Sequence, residues 1–104
     1  MPEDHVDTTI RRAIGGDAEA IGAVLTGATS CDDARIVALA AVLASRSEWI
    51  GRAQALAVTS RDRQVVAIVA SHLSGDDGLV QLLARDHLCD HPDSLIVAWI
   101  AGIS

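Results

Sequence analysis

Asp62-Arg-Gln-Val-Val-Ala-Ile-Val-Ala70 decides the fold, because its pattern recurs as Asp33-Ala-Arg-Ile-Val-Ala-Leu-Ala-Ala41 and as Asp93-Ser-Leu-Ile-Val-Ala-Trp-Ile-Ala101. In each copy an Asp is followed by two variable residues, a β-branched pair, Ala, a large apolar residue, another apolar residue and Ala. The copies start at residues 33, 62 and 93, offsets of 29 and 31 residues. Self-similarity at such a period marks stacked supersecondary units that bury their apolar faces against one another. Asp7-Thr-Thr-Ile10 begins a degenerate first copy that loses the pattern at Arg11 and Arg12.

An Asp ahead of an apolar run suits a helix N-cap. Its carboxylate accepts from the orphan amides of the first turn and sits at the positive end of the helix dipole. Each copy therefore reads as the start of a helix. The segments that follow begin again with a capping residue, at Asp17, Ser47 and Asp76 or Asp77. They carry apolar residues at helical spacing, such as Ile21, Val24 and Leu25, or Leu79, Leu82, Leu83 and Leu88. Short breaks such as Gly15-Gly16 and Ser74-Gly75 make successive helices antiparallel neighbours.

The spacing predicts seven helices, near 6–14, 17–28, 32–44, 47–58, 61–74, 77–90 and 93–103. The fold class is all-α, a single domain over 1–104 of stacked antiparallel hairpins near 6–28, 32–58 and 61–90 with a terminal helix at 93–103. The β-branched pairs Ile36-Val37, Val65-Val66 and Ile96-Val97 argue locally for strands, so a parallel sheet with crossover helices is the competing fold. The apolar runs do not alternate and are rich in Ala, which favours helices. Ala38, Ala67 and Ala98 share one position in the pattern, which predicts close approach of neighbouring helix backbones there.

Composition removes several chemistries. The 104 residues carry a net charge of -6 and only two aromatic residues, Trp49 and Trp99, with no Lys and no Asn. Without Lys there is no Walker A phosphate loop and no Schiff-base site. All eight basic residues are Arg and they are scattered, so no basic stripe is available for nucleic acid. Cys31 and Cys89 show no pairing pattern, and Met-Pro-Glu-Asp-His at the start has neither a basic n-region nor an apolar h-region. The chain reads as cytoplasmic, with reduced thiols. Its longest apolar runs, Ile36 to Ala44 and Leu95 to Ile103, are nine residues each. A membrane span needs about 20, so no membrane partner is expected.

Hairpins of this period resemble tetratricopeptide-type α-solenoids. The similarity is best over 61–99, where Ala70-Ser-His-Leu-Ser-Gly-Asp-Asp77 and Leu82-Leu-Ala-Arg-Asp-His-Leu-Cys-Asp-His-Pro-Asp-Ser94 resemble the helix, Gly-Asp turn, helix and His-Pro-Asp boundary of bacterial relatives of tetratricopeptide repeat protein 38. The copy starting at Asp33 is also similar to short HEAT-type repeats. The Trp, Gly and Tyr of the usual first tetratricopeptide helix are out of register and the period is shorter. The resemblance implies protein or peptide binding on a concave face. The carboxylate clamp that some tetratricopeptide proteins use needs Lys and Asn, and this chain, which has neither, is excluded from that subclass.

Candidate chemistry is sparse. His87 and His91 share a helix face and point to Zn²⁺, but Cys89 between them points away, and a closed site wants four ligands. The plainer reading puts both on the surface near a helix C-terminus, where a cation complements the dipole. Cys31 stands before a helix start, yet Asp32 and Asp33 oppose acidification of its thiol and no His is spaced to pair with it. The carboxylate pairs Asp32-Asp33 and Asp76-Asp77 read as caps. No catalytic residue, cofactor or metal is assigned. Arg35, Arg63, Gln64, Ser71 and His72 are the candidate groove residues, lying beside the pattern's third position and its helical neighbours.

The last helix, Leu95-Ile-Val-Ala-Trp-Ile-Ala-Gly-Ile103, is apolar on every side, whereas the terminal helix of a solenoid normally has a polar outer face. Leu95, Ile96, Trp99, Ile100 and Ile103 are therefore the candidate interface of a homodimer. The function expected is a non-enzymatic protein–protein interaction or scaffold module that self-associates. The alternative is a small-molecule binder or accessory subunit of an enzyme that uses an apolar cavity between helices.

Overall fold

Capping carboxylates start three of the helices. Asp17 accepts from the amides of Glu19 and Ala20 at 3.0 and 3.2 Å, Asp33 from Arg35 at 2.9 Å and Asp76 from Leu79 at 3.1 Å. The structure is a computed structural model that describes residues 2–103, with side chains from Val6 onward. Among the described residues there are seven α-helices and no strand: α1 Pro2–Ile14, α2 Ala18–Ser30, α3 Ala34–Ala44, α4 Ile50–Leu56, α5 Ser60–Leu73, α6 Asp77–Asp90 and α7 Leu95–Ile103. A 3-10 turn, Ser47–Trp49, leads into α4.

Three expected caps are corrected. Thr59 caps α5, its hydroxyl accepting from the amide of Asp62 at 3.0 Å, because Asp62 lies inside the first turn. Asp93 stands two residues before Leu95, and its carboxylate pairs with Arg61 at 3.3 Å instead of capping α7. Ser47 opens the 3-10 turn with no side-chain cap.

Helix ends are closed by local chemistry. Gly16 (φ 94°) and Gly75 (φ 81°) take the left-handed conformation that glycine tolerates and end α1 and α5, with Asp17 and Asp76 donating back to Arg12 and Ser71 at 3.0 Å each. The C-terminal carbonyls of α2 are served from a distance. Arg52 of α4 donates its Nε to the Ala28 carbonyl at 3.1 Å and an Nη to that of Cys31.

Each even-numbered helix packs between its two chain neighbours, while α3 also meets α5, α5 meets α7, α7 meets α1 and α1 meets α3. The odd-numbered helices thus form a closed ring, and the molecule measures 32 × 27 × 27 Å. Ile10, Val37, Val65, Val69, Val97 and Ile100 belong to one core. Gly27 is buried on α2 because a Cβ there would stand 2.9 Å from Ile36 Cγ2 of α3, so its absence lets the two backbones approach. The small residue of the repeated pattern does not play this part uniformly. Ala38 is buried, whereas Ala67 and Ala98 face solvent, so the expected close contact is absent at the positions of Ala67 and Ala98.

Candidate functional site

The leading Asp residues of the three copies come together with that of the degenerate one. Asp7, Asp33, Asp62 and Asp93 line one open cavity of about 400 Å³ with Thr59, Arg35 and Arg61, where the starts of α3, α5 and α7 meet the middle of α1. Arg35 bridges Asp7 at 3.0 Å and Asp33 at 3.2 Å, and Arg61 holds Asp93. Burial disfavours the charge on Arg35, but Asp33 and Asp7 more than offset it and the guanidinium pKa is raised. This seam ties the ring together. It also occupies Arg35, which therefore stands apart from the rest of the candidate groove.

The remaining groove residues lie on α5. The exposed Ala67 lies between two recesses, one against the α4 end and the other against α6. On the α4 side a recess of about 210 Å³ is lined by Gln54, Ala57, Arg63, Val66 and Ala67. On the α6 side a recess of about 220 Å³ is lined by Gln64, Ala67, Ile68, Leu83, Asp86, His87 and Asp90. Arg63 and Gln64 are thus divided between two recesses that share Ala67. Ser71 and His72 lie further along the helix and line neither, and Ser71 donates its hydroxyl to the Ala67 carbonyl at 3.0 Å.

No family model matches the chain, and neither a curated protein nor a solved structure matches it.

Beneath the α6 recess lies a polar hub that the surface reading of His87 missed. His87 is only 1 % exposed. Its Nδ1 is 2.7 Å from Gln64 Oε1 of α5 and its Nε2 is 2.9 Å from Ser94 Oγ, just ahead of α7. Gln64 presents a carbonyl oxygen, which only accepts, so Nδ1 carries a proton, and in the neutral ring Nε2 is then free to accept from the Ser94 hydroxyl. Burial lowers the His87 pKa, and His91 and Arg61 lower it further against the opposing pull of Asp90 and Asp93. The lowered pKa favours the neutral ring, in which Nε2 accepts from the Ser94 hydroxyl. Three helices are clasped by one side chain, and no buried side-chain polar atom among the described residues lacks a partner.

Ser94, His87 and Gln64 follow the order of a nucleophile, base and orienting group. Space decides against that use. Ser94 is 5 % exposed, and the cavity beside it, toward Arg35, Arg61 and Leu95, holds about 20 Å³. That is room for one water and not for an acyl group. The hub is a clamp in this geometry.

The other candidates are quickly placed. The His87 and His91 rings have centroids 4.9 Å apart, and among the described residues no group of three or more His, Cys, Asp or Glu is arranged to hold a metal ion. Cys31 is half-buried and Cys89 exposed, and both are free thiols. Among the described residues no helix is long and apolar enough to cross a membrane. On α7, Ile96 and Ile100 are buried in the chain's own core, so the helix that reads as apolar all round satisfies one side internally. Leu95 and Trp99 are half-buried, and Ile103 is 52 % exposed.

Sequence reasoning missed Asp86, Asp90, Ser94 and the burial of His87. A signal was present: Asp86 and Asp90 are four apart, as are Leu83 and His87, which places each pair along one stripe of α6.

Proposed function

We propose that the protein is a non-enzymatic helical-repeat interaction module, of tetratricopeptide or short HEAT kind, whose α5 groove docks a segment of another protein in the cytoplasm. The pair of recesses astride Ala67 carries this reading. Each is smaller than the roughly 300–1,000 Å³ typical of small-molecule and cofactor sites, and each is of side-chain size. Two such recesses over an exposed Ala suit successive side chains of a docked segment, with the small floor residue admitting its backbone. Self-association belongs to the same reading and runs through α7. With Ile96 and Ile100 committed to the core, the surface left for a second copy is Leu95, Trp99 and Ile103.

Ala67→Arg tests the docking surface, since an exposed residue is replaced and the fold is spared. A partner captured by the wild type, purified and remixed, should bind the wild type and fail to bind Ala67→Arg. Equal binding to both overturns the groove reading. Light scattering at micromolar concentration should return a dimer for the wild type and a monomer for Trp99→Ala/Ile103→Ser, and a monomeric wild type overturns self-association.

The alternative, a small-molecule-binding or accessory subunit, draws on one observation: the buried His87 lines the α6 recess beside Leu83 and Ile68. Native mass spectrometry after exposure to a metabolite mixture separates the two readings, because only this one expects a retained small molecule.

A further inference from the structure

We infer that the α5 groove is built for a basic amphipathic segment, one of whose Lys or Arg side chains enters the α6 recess. There its stem lies along Leu83 and Ile68 and its charged head meets Asp86 and Asp90. This rests on the groove being a docking surface and adds the chemistry of its occupant. The argument is charge complementarity. Asp86 and Asp90 are one turn apart on α6 and both line the recess. Neither forms an ion pair among the described residues, and of the acidic residues without one they are the two that line this recess.

The two carboxylates are also placed where the helix itself disfavours them. Like charges four residues apart repel on a helix surface. Asp90 is moreover the last residue of α6, at the negative end of its dipole, where cations are favoured. Both penalties persist in the isolated chain and both are relieved by a cation delivered from outside. Leu83 and Ile68 give the recess an apolar side next to Gln64 and His87, and a long aliphatic stem with a charged head matches that side and the acidic rim. Across Ala67 the rim changes sign, because Arg63 lines the α4 recess. A docked segment is thereby oriented, with its basic edge toward α6.

The test is a phage-displayed library of random 12-residue peptides panned against the wild type and counter-selected on Ala67→Arg. The enriched sequences should carry Lys or Arg beside apolar residues. A synthetic peptide from that set should bind Asp86→Asn/Asp90→Asn on the order of tenfold more weakly, with a reduced salt dependence. Glu19→Gln, an acidic residue of α2 outside both recesses, should leave binding unchanged. The Asn variant should melt no lower than the wild type, since it removes a repulsion. Enriched peptides that lack basic residues, or binding indifferent to the Asn pair, overturn this inference and leave the docking surface standing. Failure to enrich any peptide sensitive to Ala67→Arg overturns the docking surface and the inference with it.

Discussion

Helices α3 and α5 begin with the same sequence pattern and end in different surroundings. Leu39 and Ile68 hold equivalent positions and both are fully buried. Ala38 and Ala67 are also equivalent, yet Ala38 is inaccessible and Ala67 faces solvent. The position two residues after the leading Asp carries Arg35 in α3, committed to ion pairs with Asp7 and Asp33, and Gln64 in α5, committed to His87. The cause lies in the neighbours. Helix α3 is enclosed by α1, α2, α4 and α5, with Gly27 allowing α2 to come close. Helix α5 is flanked on one side by α4, only seven residues long, and its outer face stays open. The repeated pattern thus sets which side chains point inward, and the adjoining elements set whether the opposite face becomes core or groove.

One substitution made twice tests the contrast most directly. Ala38→Leu forces extra atoms into a closed contact and should cost roughly 1–3 kcal/mol. Ala67→Leu adds the same atoms at an open surface and should stay within about 0.5 kcal/mol of wild type. Urea denaturation of both variants measures the difference. Equal losses would mean that the two copies are equally enclosed, and the groove over α5 would be lost with the contrast.

The legible part of this architecture is what one residue and its helical neighbours determine. The Asp-led pattern and the glycine breaks placed seven helices, and Asp17, Asp33 and Asp76 cap as their chemistry requires. Asp62 and Asp93 look the same in sequence. A Thr three residues earlier takes over the capping in one case, and in the other Arg61 offers a stronger partner for the carboxylate. Burial was less legible still. His87 has the sequence context of a surface histidine at a helix end, and only the arrival of Gln64 and Ser94 from two other helices makes a buried ring affordable. The convergence of Asp7, Asp33, Asp62 and Asp93 depends on the ring closing between α1 and α7, which no local pattern encodes.

That hub gives the next largest effect. His87→Leu removes the ring and strands the buried Ser94 hydroxyl, at a cost of about 2 kcal/mol. Among the described residues the α3 side has no equivalent buried polar side chain, so the loss should appear in hydrogen exchange as faster opening of α5, α6 and α7 while α2 and α3 stay protected. A uniform loss across all helices would show instead that the hub is not local to its half of the molecule. Protonation probes the same side chain more gently. Because the folded protein holds the His87 pKa below its ordinary value near 6.5, the unfolded chain binds more protons in that range. Stability should be full above pH 6.5, decline as the pH falls toward the lowered folded pKa, and level off below it. His87→Gln, measured beside the wild type from pH 7.5 to 5.5, should lack this component, and parallel curves for the two proteins would remove His87 as its source.

The smallest effect separates the ends of the same two helices. Beyond α5 the left-handed position is Gly75, and beyond α3 it is Ser45, at φ 53°. The hydrogen bonding is alike: Ser45 and Arg46 donate back to Val42 and Ala41 at 3.2 and 2.9 Å, and Gly75 and Asp76 to His72 and Ser71 at 3.1 and 3.0 Å. What differs is the Cβ, which costs an L-residue roughly 1–2 kcal/mol in the left-handed region. Glycine would return part of that gain through the larger entropy of the unfolded chain, by roughly 0.5–1 kcal/mol. Ser45→Gly should therefore stabilise the protein by about 0.5–1 kcal/mol, and Gly75→Ala should destabilise it by a similar amount. A double variant carrying both changes should melt near the wild type, since the two ends lie in separate loops and their effects add.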